Sequence, residues 1–166
     1  MSRLVASFFY IGFMRPAPGT WGSLAAALLG VGLIWLLGAL ALALAAVLAY
    51  AIGLWATRLE VGPDNHDPSW IVIDEVAGQW VAMLPLAVFY IAVERPGAIL
   101  LGGAVISFLL FRLFDIWKPW PVSWADRRED ALGVMLDDVI AGVMAALVMA
   151  ACVAGLAALA VNSAYG

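Results

Sequence analysis

Long apolar runs separated by short polar loops dominate the chain. The run over residues 24–55 carries no charged residue, and as one helix it would be roughly 48 Å long against a bilayer core of roughly 30 Å. We therefore expect a break near Gly38, with a short helix over 23–37 and a full span over 39–59. The same pattern predicts three more spans, over 74–93 with a bend at Pro85, 98–117 and 137–161.

The N-terminal apolar stretch, 4–14, is too short to cross a bilayer, so we expect a partial or re-entrant helix there. A Pro/Gly turn over 15–23 follows it, and Thr20 or Ser23 is expected to cap the next helix through its hydroxyl. The predicted fold class is all-α: a polytopic integral membrane bundle of four long helices plus one or two short or re-entrant helices.

Composition agrees with a membrane protein. The chain is 66% hydrophobic and 12% charged, with a mean hydropathy of +1.03, whereas soluble domains are nearer half apolar and a quarter charged. No linker divides the sequence, so we predict a single membrane-embedded domain over 1–166. The net charge is -4 and no basic stripe is present, which argues against nucleic-acid binding.

The positions of the charges predict an orientation. If 23–59 crosses the membrane and returns, the polar loops 15–23, 60–75 and 117–137 all lie on one side. Six of the basic residues collect on that side, against Arg95 on the other, so the positive-inside rule makes it cytoplasmic. The six are Arg15, Arg58, Arg112, Lys118, Arg127 and Arg128.

Two acidic pairs echo each other at the starts of predicted spans. They are Asp74 with Glu75, and Asp137 with Asp138. Helix capping by these side chains is one interpretation, but a cap needs only one carboxylate. Four carboxylates together would repel unless a hard cation neutralised them, and Mg²⁺ prefers oxygen ligands. We favour a metal site, and expect Gly78 and Gly142 to let the two helices approach closely enough to share an ion.

Two cationic side chains that suit phosphate, Arg112 and Lys118, lie at the end of the predicted span 98–117, in FRLFDIWKPWPVSW over 111–124. Arg112 and Asp115 share a helix face, and Lys118 lies a little further round it. Arginine binds phosphate through its planar fork and lysine as a point charge. The plainer alternative is that both cations pair with Asp115 and the lipid headgroup layer.

Three weaker candidate groups complete the set. The segment PGTWGS, 18–23, has two glycines before a helix and could present backbone N–H groups to an anion, which makes Thr20, Gly22 and Ser23 phosphate-binding candidates. In the first polar loop, His66 is a functional candidate or an ordinary loop residue, and Asp67 is a candidate to bind the metal directly or to support one of its ligands. Asp126 and Arg127 either belong to a solvated charge run or close over the site.

In order along the chain, PGTWGS, HDP followed by IVIDEVAG, FRLFDIWKPWPVSWADR and GVMLDDVIAG resemble the phosphatidylglycerophosphatase A family over about 17–146. The resemblance implies a Mg²⁺-dependent membrane phosphatase that converts phosphatidylglycerophosphate to phosphatidylglycerol at the cytoplasmic face of the bacterial inner membrane. It places Arg112, Lys118 and the Thr20 loop on the phosphate. It also implies a set of acidic site residues: Asp74, Glu75, Asp115, Asp137 and Asp138.

We therefore expect phosphomonoester hydrolysis, with Mg²⁺ on the two acidic pairs and Asp115 orienting or deprotonating the attacking water. A DxDxT motif and the DGxxAR signature of CDP-alcohol transferases are both absent from the sequence, and the chain has a single histidine. A small membrane divalent-cation carrier is the alternative function, and a non-catalytic assembly partner is a third. The oligomeric state is left open.

Overall fold

The computed structural model describes residues 1–62, 68–93 and 97–165, with side chains described as far as 158. Within these ranges it is helical and confirms the predicted all-α class. A 3₁₀ turn, Ile11–Phe13, follows the first helix. The α-helices are α1 Ser2–Ala6, α2 Pro18–Leu37, α3 Ala39–Glu60, α4 Ile73–Ala82, α5 Leu84–Ala92, α6 Gly97–Trp117, α7 Val122–Asp126 and α8 Ala131–Tyr165.

Five stretches of the described chain are long and apolar enough to cross a membrane. They are α2, α3, α4 together with α5, α6, and α8. The prediction of four long helices with short additions is therefore close. The difference is α2, which is a full span of 20 residues and not the short helix that we expected. The helix expected over 4–14 is only partly present, as the five-residue α1 and the 3₁₀ turn that follows it.

The predicted break at Gly38 is confirmed. Gly38 has a φ of +84°, in the left-handed region that glycine enters without steric penalty. Its N–H donates to the carbonyl oxygens of Leu33 and Ile34, at 3.1 Å each, and so ends α2. The chain then turns directly into α3, which returns to the side of the membrane where α2 began.

Helices α2 and α8 both begin earlier than the sequence predicted. Pro18 starts α2, because its fixed φ suits the first helical turn and its missing N–H is not needed there. The predicted caps Thr20 and Ser23 are therefore wrong, since both lie inside the helix. At α8, Asp130 is the capping side chain, accepting a hydrogen bond from the Gly133 N–H at 2.8 Å.

This earlier start also removes the capping interpretation for the second acidic pair. Asp137 and Asp138 lie in the second turn of α8 and not at its beginning. Asp74 and Glu75 do lie in the first turn of α4, but that helix has no side-chain capping bond. Neither pair is accounted for by helix capping.

The span formed by α4 and α5 lies at the centre of the bundle and packs against α2, α3, α6 and α8. It bends at Met83, and Pro85 lies in the first turn of α5, so the predicted bend is confirmed. The span is 50% buried inside the bundle, against 22–33% for the other four, and has the lowest hydropathy of the five.

Two glycines bring α4 and α8 into backbone contact, as predicted. A Cβ added at Gly78 would lie 2.5 Å from the carbonyl oxygen of Asp138 and 2.6 Å from the Phe111 ring. A Cβ at Gly142 would meet the carbonyl oxygen of Gly78 in the same way. Because both helices begin at the same end of the bundle, this crossing brings Asp74 and Asp138 together.

Candidate functional site

A cavity of about 340 Å³ opens at the end of the bundle where α2, α4 and α8 begin and α6 ends. Nine of the predicted site residues line it, although they come from segments far apart in the sequence. They are Thr20, Asp74, Glu75, Arg112, Asp115, Lys118, Asp126, Asp137 and Asp138. Trp117, Trp120 and Trp124 are exposed at and beyond this end of α6, and tryptophan is enriched where a bilayer meets water.

Three carboxylates meet inside the cavity. Asp74, Glu75 and Asp138 each offer one oxygen, and these oxygens lie within 4.8 Å of one another. Asp74 and Asp138 are buried, at 7% and 4% exposure, and Glu75 is partly buried. Among the residues that the structure describes, none of the three forms a salt bridge. Within the described residues the cluster therefore has no ion-pair partner, and Arg112, which lies close to Glu75, pairs with Asp115 instead.

Asp137 has a different environment. Its Oδ2 accepts a hydrogen bond from Lys118 Nζ at 3.0 Å, and it lines the same cavity but is not one of the three carboxylates whose oxygens meet. The structure thus groups three of the four paired acids and gives the fourth to Lys118.

Arg112, on α6, contacts Asp115 on the same helix and Ser23 on α2. Its Nη1 lies 2.6 Å from Asp115 Oδ2 and donates to Ser23 Oγ at 3.3 Å. Its Nε and the Oε2 of Glu75 are buried and have no hydrogen-bond partner among the described residues. Buried polar atoms of this kind are uncommon in folded proteins, and here both belong to the same cavity.

Lys118 is held in a strained conformation at the end of α6. Its φ is +48°, in the left-handed region that glycine usually occupies at a helix C-terminus. Its ammonium binds the carboxylates of Asp126 and Asp137. Partial burial works against the charge, but these two carboxylates outweigh it and raise the pKa of Lys118. The side chain stays protonated throughout the physiological range.

The beginning of α2 supplies the fourth wall. Gly19 allows a close approach, because a Cβ there would meet Glu75 Oε1 and lie 3.3 Å from Arg112 Nη1. Ser23 is fully buried and donates to the Gly19 carbonyl oxygen at 2.7 Å while it accepts the bond from Arg112. Gly22 packs against Val72, the residue that precedes α4, and a Cβ added at Gly22 would lie 2.8 Å from Val72 Cβ.

The remaining predicted residues are less central. Arg127 directly follows the last residue of α7; it is exposed and does not line the cavity. Its neighbours Arg128 and Glu129 do line it, and Arg128 Nη2 pairs with Asp130 Oδ2 at 2.9 Å. His66 and Asp67 lie outside the described residues.

Gln79 is a polar residue that sequence reasoning missed. It is fully buried one turn along α4 from Glu75, and both of its amide atoms are without a hydrogen-bond partner in the described part of the chain. A polar residue four positions after an acid, inside an otherwise apolar span, was the available signal.

This arrangement favours a hard divalent cation. A phosphate group entering the cavity would be repelled by three unpaired carboxylates, although Arg112 and Lys118 would attract it. A cation on Asp74, Glu75 and Asp138 removes that conflict, since Mg²⁺ binds carboxylate oxygens and commonly shares its shell with phosphate. The unpartnered Glu75 Oε2 is the kind of atom that such an ion would satisfy.

Comparison with known proteins supports the resemblance seen in the motifs. The family model described as Phosphatidylglycerophosphatase A matches residues 4–153. A phosphatidylglycerophosphatase A of Haemophilus influenzae is 37% identical over 151 residues, covering 89% of this chain and 85% of that protein. The Escherichia coli protein of the same name is 34% identical over 151 residues, covering 87% and 78%.

A third relative carries a different name. A protein of Bacteroides thetaiotaomicron named as a candidate phosphatidylinositol-3-phosphatase is 33% identical over 157 residues, covering 89% of this chain and 90% of that protein. No solved structure matches the chain.

Proposed function

The chain belongs to the phosphatidylglycerophosphatase A family, and on that basis we propose that it hydrolyses phosphatidylglycerophosphate to phosphatidylglycerol and phosphate. The observation that carries the proposal is the meeting of three unpaired carboxylates with two cationic side chains in one cavity at the membrane interface. We place the protein in the bacterial inner membrane with this cavity on the cytoplasmic side, in accord with the positive-inside rule.

Mg²⁺ is the cofactor we propose, held by Asp74, Glu75 and Asp138. When bound, it would supply positive charge against the phosphate oxygens and make a nearby water more acidic. The buried carboxylates provide oxygen donors only, which suits Mg²⁺ better than a softer metal.

The other side chains bind and orient the substrate. Arg112 can donate to the phosphate oxygens while Ser23 and Asp115 fix its guanidinium. The start of α2 adds the Gly19 and Thr20 backbone at a helix N-terminus, which favours an anion. Lys118, held protonated, stabilises the negative charge that grows on the leaving oxygen.

Asp115 is the group we assign to the attacking water. Arg112 pairs with its Oδ2 and orients the carboxylate, which lines the same cavity as the cluster and can accept a proton from water. The water oxygen forms a bond to phosphorus as the bond to the glycerol oxygen breaks. One proton passes from the water to Asp115, and the released glycerol oxygen takes one from solvent.

The cation-carrier alternative is not favoured. A carrier needs acidic groups along its path through the membrane. In the described spans the carboxylates of the five crossing helices all lie at one end, the end that carries the cavity.

Purified protein in detergent tests the proposal directly. We expect phosphate release from phosphatidylglycerophosphate with Mg²⁺, loss of release with a chelator, and recovery when Mg²⁺ is returned in excess. Phosphatidylinositol 3-phosphate and a water-soluble phosphomonoester serve as comparison substrates, and both are expected to react more slowly.

Phosphate release that persists in chelator would contradict the proposed metal requirement. Phosphate release that is faster from phosphatidylinositol 3-phosphate than from phosphatidylglycerophosphate would contradict the proposed substrate. Divalent-cation flux into vesicles without any phosphate release would favour the carrier.

Lys118 provides a test that separates backbone strain from chemistry. Replacing Lys118 by Gly or by Ala removes the ammonium in both cases, so we expect both variants to lose activity about tenfold or more. Only Gly relieves the left-handed conformation, which costs about 1 kcal/mol with a side chain present. The Gly variant should therefore unfold at the higher temperature, the reverse of the usual order for these residues in a helix.

Thermal unfolding in detergent and phosphate release, measured on both variants, check this. Wild-type turnover in either variant would exclude the ammonium from the reaction, and equal unfolding temperatures would contradict the strained backbone.

A further inference from the structure

An apolar groove runs into the membrane from the edge of the site. It lies between α2 and α6, has a volume of about 160 Å³ and is lined by apolar side chains alone. Ala27 and Ala104 form its floor, at 6% and 7% exposure. Larger side chains form its walls and are exposed on the surface that faces the lipid, among them Leu28 at 65% and Val105 at 58%.

The groove begins where the site ends. Ser23 and Arg112 join α2 to α6 through their hydrogen bond, at the edge of the cavity. Leu24, which follows Ser23 on α2, and Phe108, one turn from Arg112 on α6, are the lining residues of the groove nearest to this hydrogen bond. The two helices that supply Thr20 and Arg112 to the cavity therefore also supply both walls of the groove.

From this continuity we propose that the groove receives one acyl chain of the lipid whose phosphate is hydrolysed, an inference that rests on the proposed function. The headgroup lies across the cavity, and one chain descends between α2 and α6. Ala104 lies two turns, roughly 12 Å, below Arg112 along α6, so the groove follows a chain well into the hydrocarbon layer.

A second apolar groove, of about 380 Å³ between α1, α3 and α4, is a poorer candidate. It shares only α4 with the site. Ile73, Val76 and Trp80 line it from one face of α4, whereas Asp74 and Glu75 project from other faces of that helix into the cavity. The body of α4 thus separates this second groove from the site.

The groove acts on orientation more than on affinity. A chain that moves from bilayer to groove exchanges one apolar environment for another, so it gains little hydrophobic free energy. A chain fixed in the groove does hold the headgroup in register with the carboxylates, and misplacement of a reacting group by about 1 Å can cost a hundredfold in rate.

Filling the groove tests this. Ala104→Phe should lower kcat/KM for dioleoyl phosphatidylglycerophosphate in mixed micelles about tenfold, because the ring blocks the chain. The dihexanoyl lipid, whose chains are too short to reach Ala104, should change less than about twofold. Ala45→Phe, the matched substitution in the second groove, should leave both substrates within about twofold.

The proposal that the groove binds an acyl chain would be overturned if Ala104→Phe lowered kcat/KM equally for the dioleoyl and the dihexanoyl lipid. It would also be overturned if Ala45→Phe lowered kcat/KM for the dioleoyl lipid as much as Ala104→Phe does. Wild-type protein that releases no phosphate from either lipid contradicts the proposed function itself. Normal wild-type turnover with no effect of Ala104→Phe contradicts only the groove.

A measurement on the unaltered protein covers the case in which Ala104→Phe fails to fold. A phosphatidylglycerophosphate analogue with a photoreactive diazirine on one acyl chain should form adducts concentrated in 24–31 and 101–108. Adducts spread evenly over the lipid-facing surface, or concentrated in 45–52, would contradict the proposal.

Discussion

Asp138→Asn is expected to lower phosphate release about a hundredfold or more while leaving the metal-free protein at least as stable as the wild type. The amide keeps the size of the side chain but removes one of three carboxylates whose oxygens lie within 4.8 Å of one another, of which Asp74 and Asp138 are buried. Loss of the charge weakens the cation site and relieves repulsion between Asp138 and its neighbours Asp74 and Glu75. Activity and stability should therefore change in opposite directions.

Thermal unfolding with chelator and with Mg²⁺ gives the second readout. Binding to the folded state raises the unfolding temperature, so Mg²⁺ should stabilise the wild type more than the variant. Asp130→Asn is the matched control, since Asp130 is an exposed carboxylate outside the cavity and asparagine also caps helices well. Near wild-type turnover in Asp138→Asn, or an equal loss in Asp130→Asn, would remove Asp138 from the site.

Gly78→Ala should lower activity about a hundredfold and reduce the unfolding temperature. The added methyl would lie 2.5 Å from the carbonyl oxygen of Asp138, a backbone atom that cannot rotate away as a side chain can. α4 and α8 must then separate, and the separation moves Asp138 away from Asp74. A single methyl group thus perturbs a carboxylate cluster that it does not touch.

Gly102→Ala is the control for Gly78→Ala, because nothing lies within 4 Å of a Cβ at Gly102. Both residues are glycines within helices, and at an open helical position alanine is favoured by about 1 kcal/mol. The control should keep its activity and unfold at the same or a higher temperature. If the two variants behave alike in phosphate release, the close crossing of α4 and α8 does not set the geometry of the site.

The sequence located most of the spans because glycine, proline and the polar loops mark where they end, although it underestimated the length of α2. Gly38 and Pro85 mark a reversal and a bend through their own backbone restrictions, and uninterrupted apolar runs identify the crossing helices. Helix starts were less predictable. Several residues near each start can cap or begin a helix, and Pro18 and Asp130 prevailed over the later candidates.

The grouping of the acids required the tertiary structure. Asp137 and Asp138 are equivalent by sequence pattern, but the position of Lys118 after the end of α6 gives the first a partner and leaves the second in the carboxylate cluster. The buried amide of Gln79 is likewise a consequence of packing at the centre of the bundle. Such distinctions depend on which face of a helix each neighbour covers, and periodicity along one chain does not encode that.

The central position of α4 and α5 has a consequence for biosynthesis. This span is the least hydrophobic of the five and the most enclosed by protein, and it carries Asp74, Glu75 and Gln79. If this span entered the bilayer without the other helices, its polar groups would be exposed to hydrocarbon, which is unfavourable. We therefore expect its stable integration to depend on the helices that pack around it, α2, α3, α6 and α8, so that the carboxylate cluster forms only when those helices are in place.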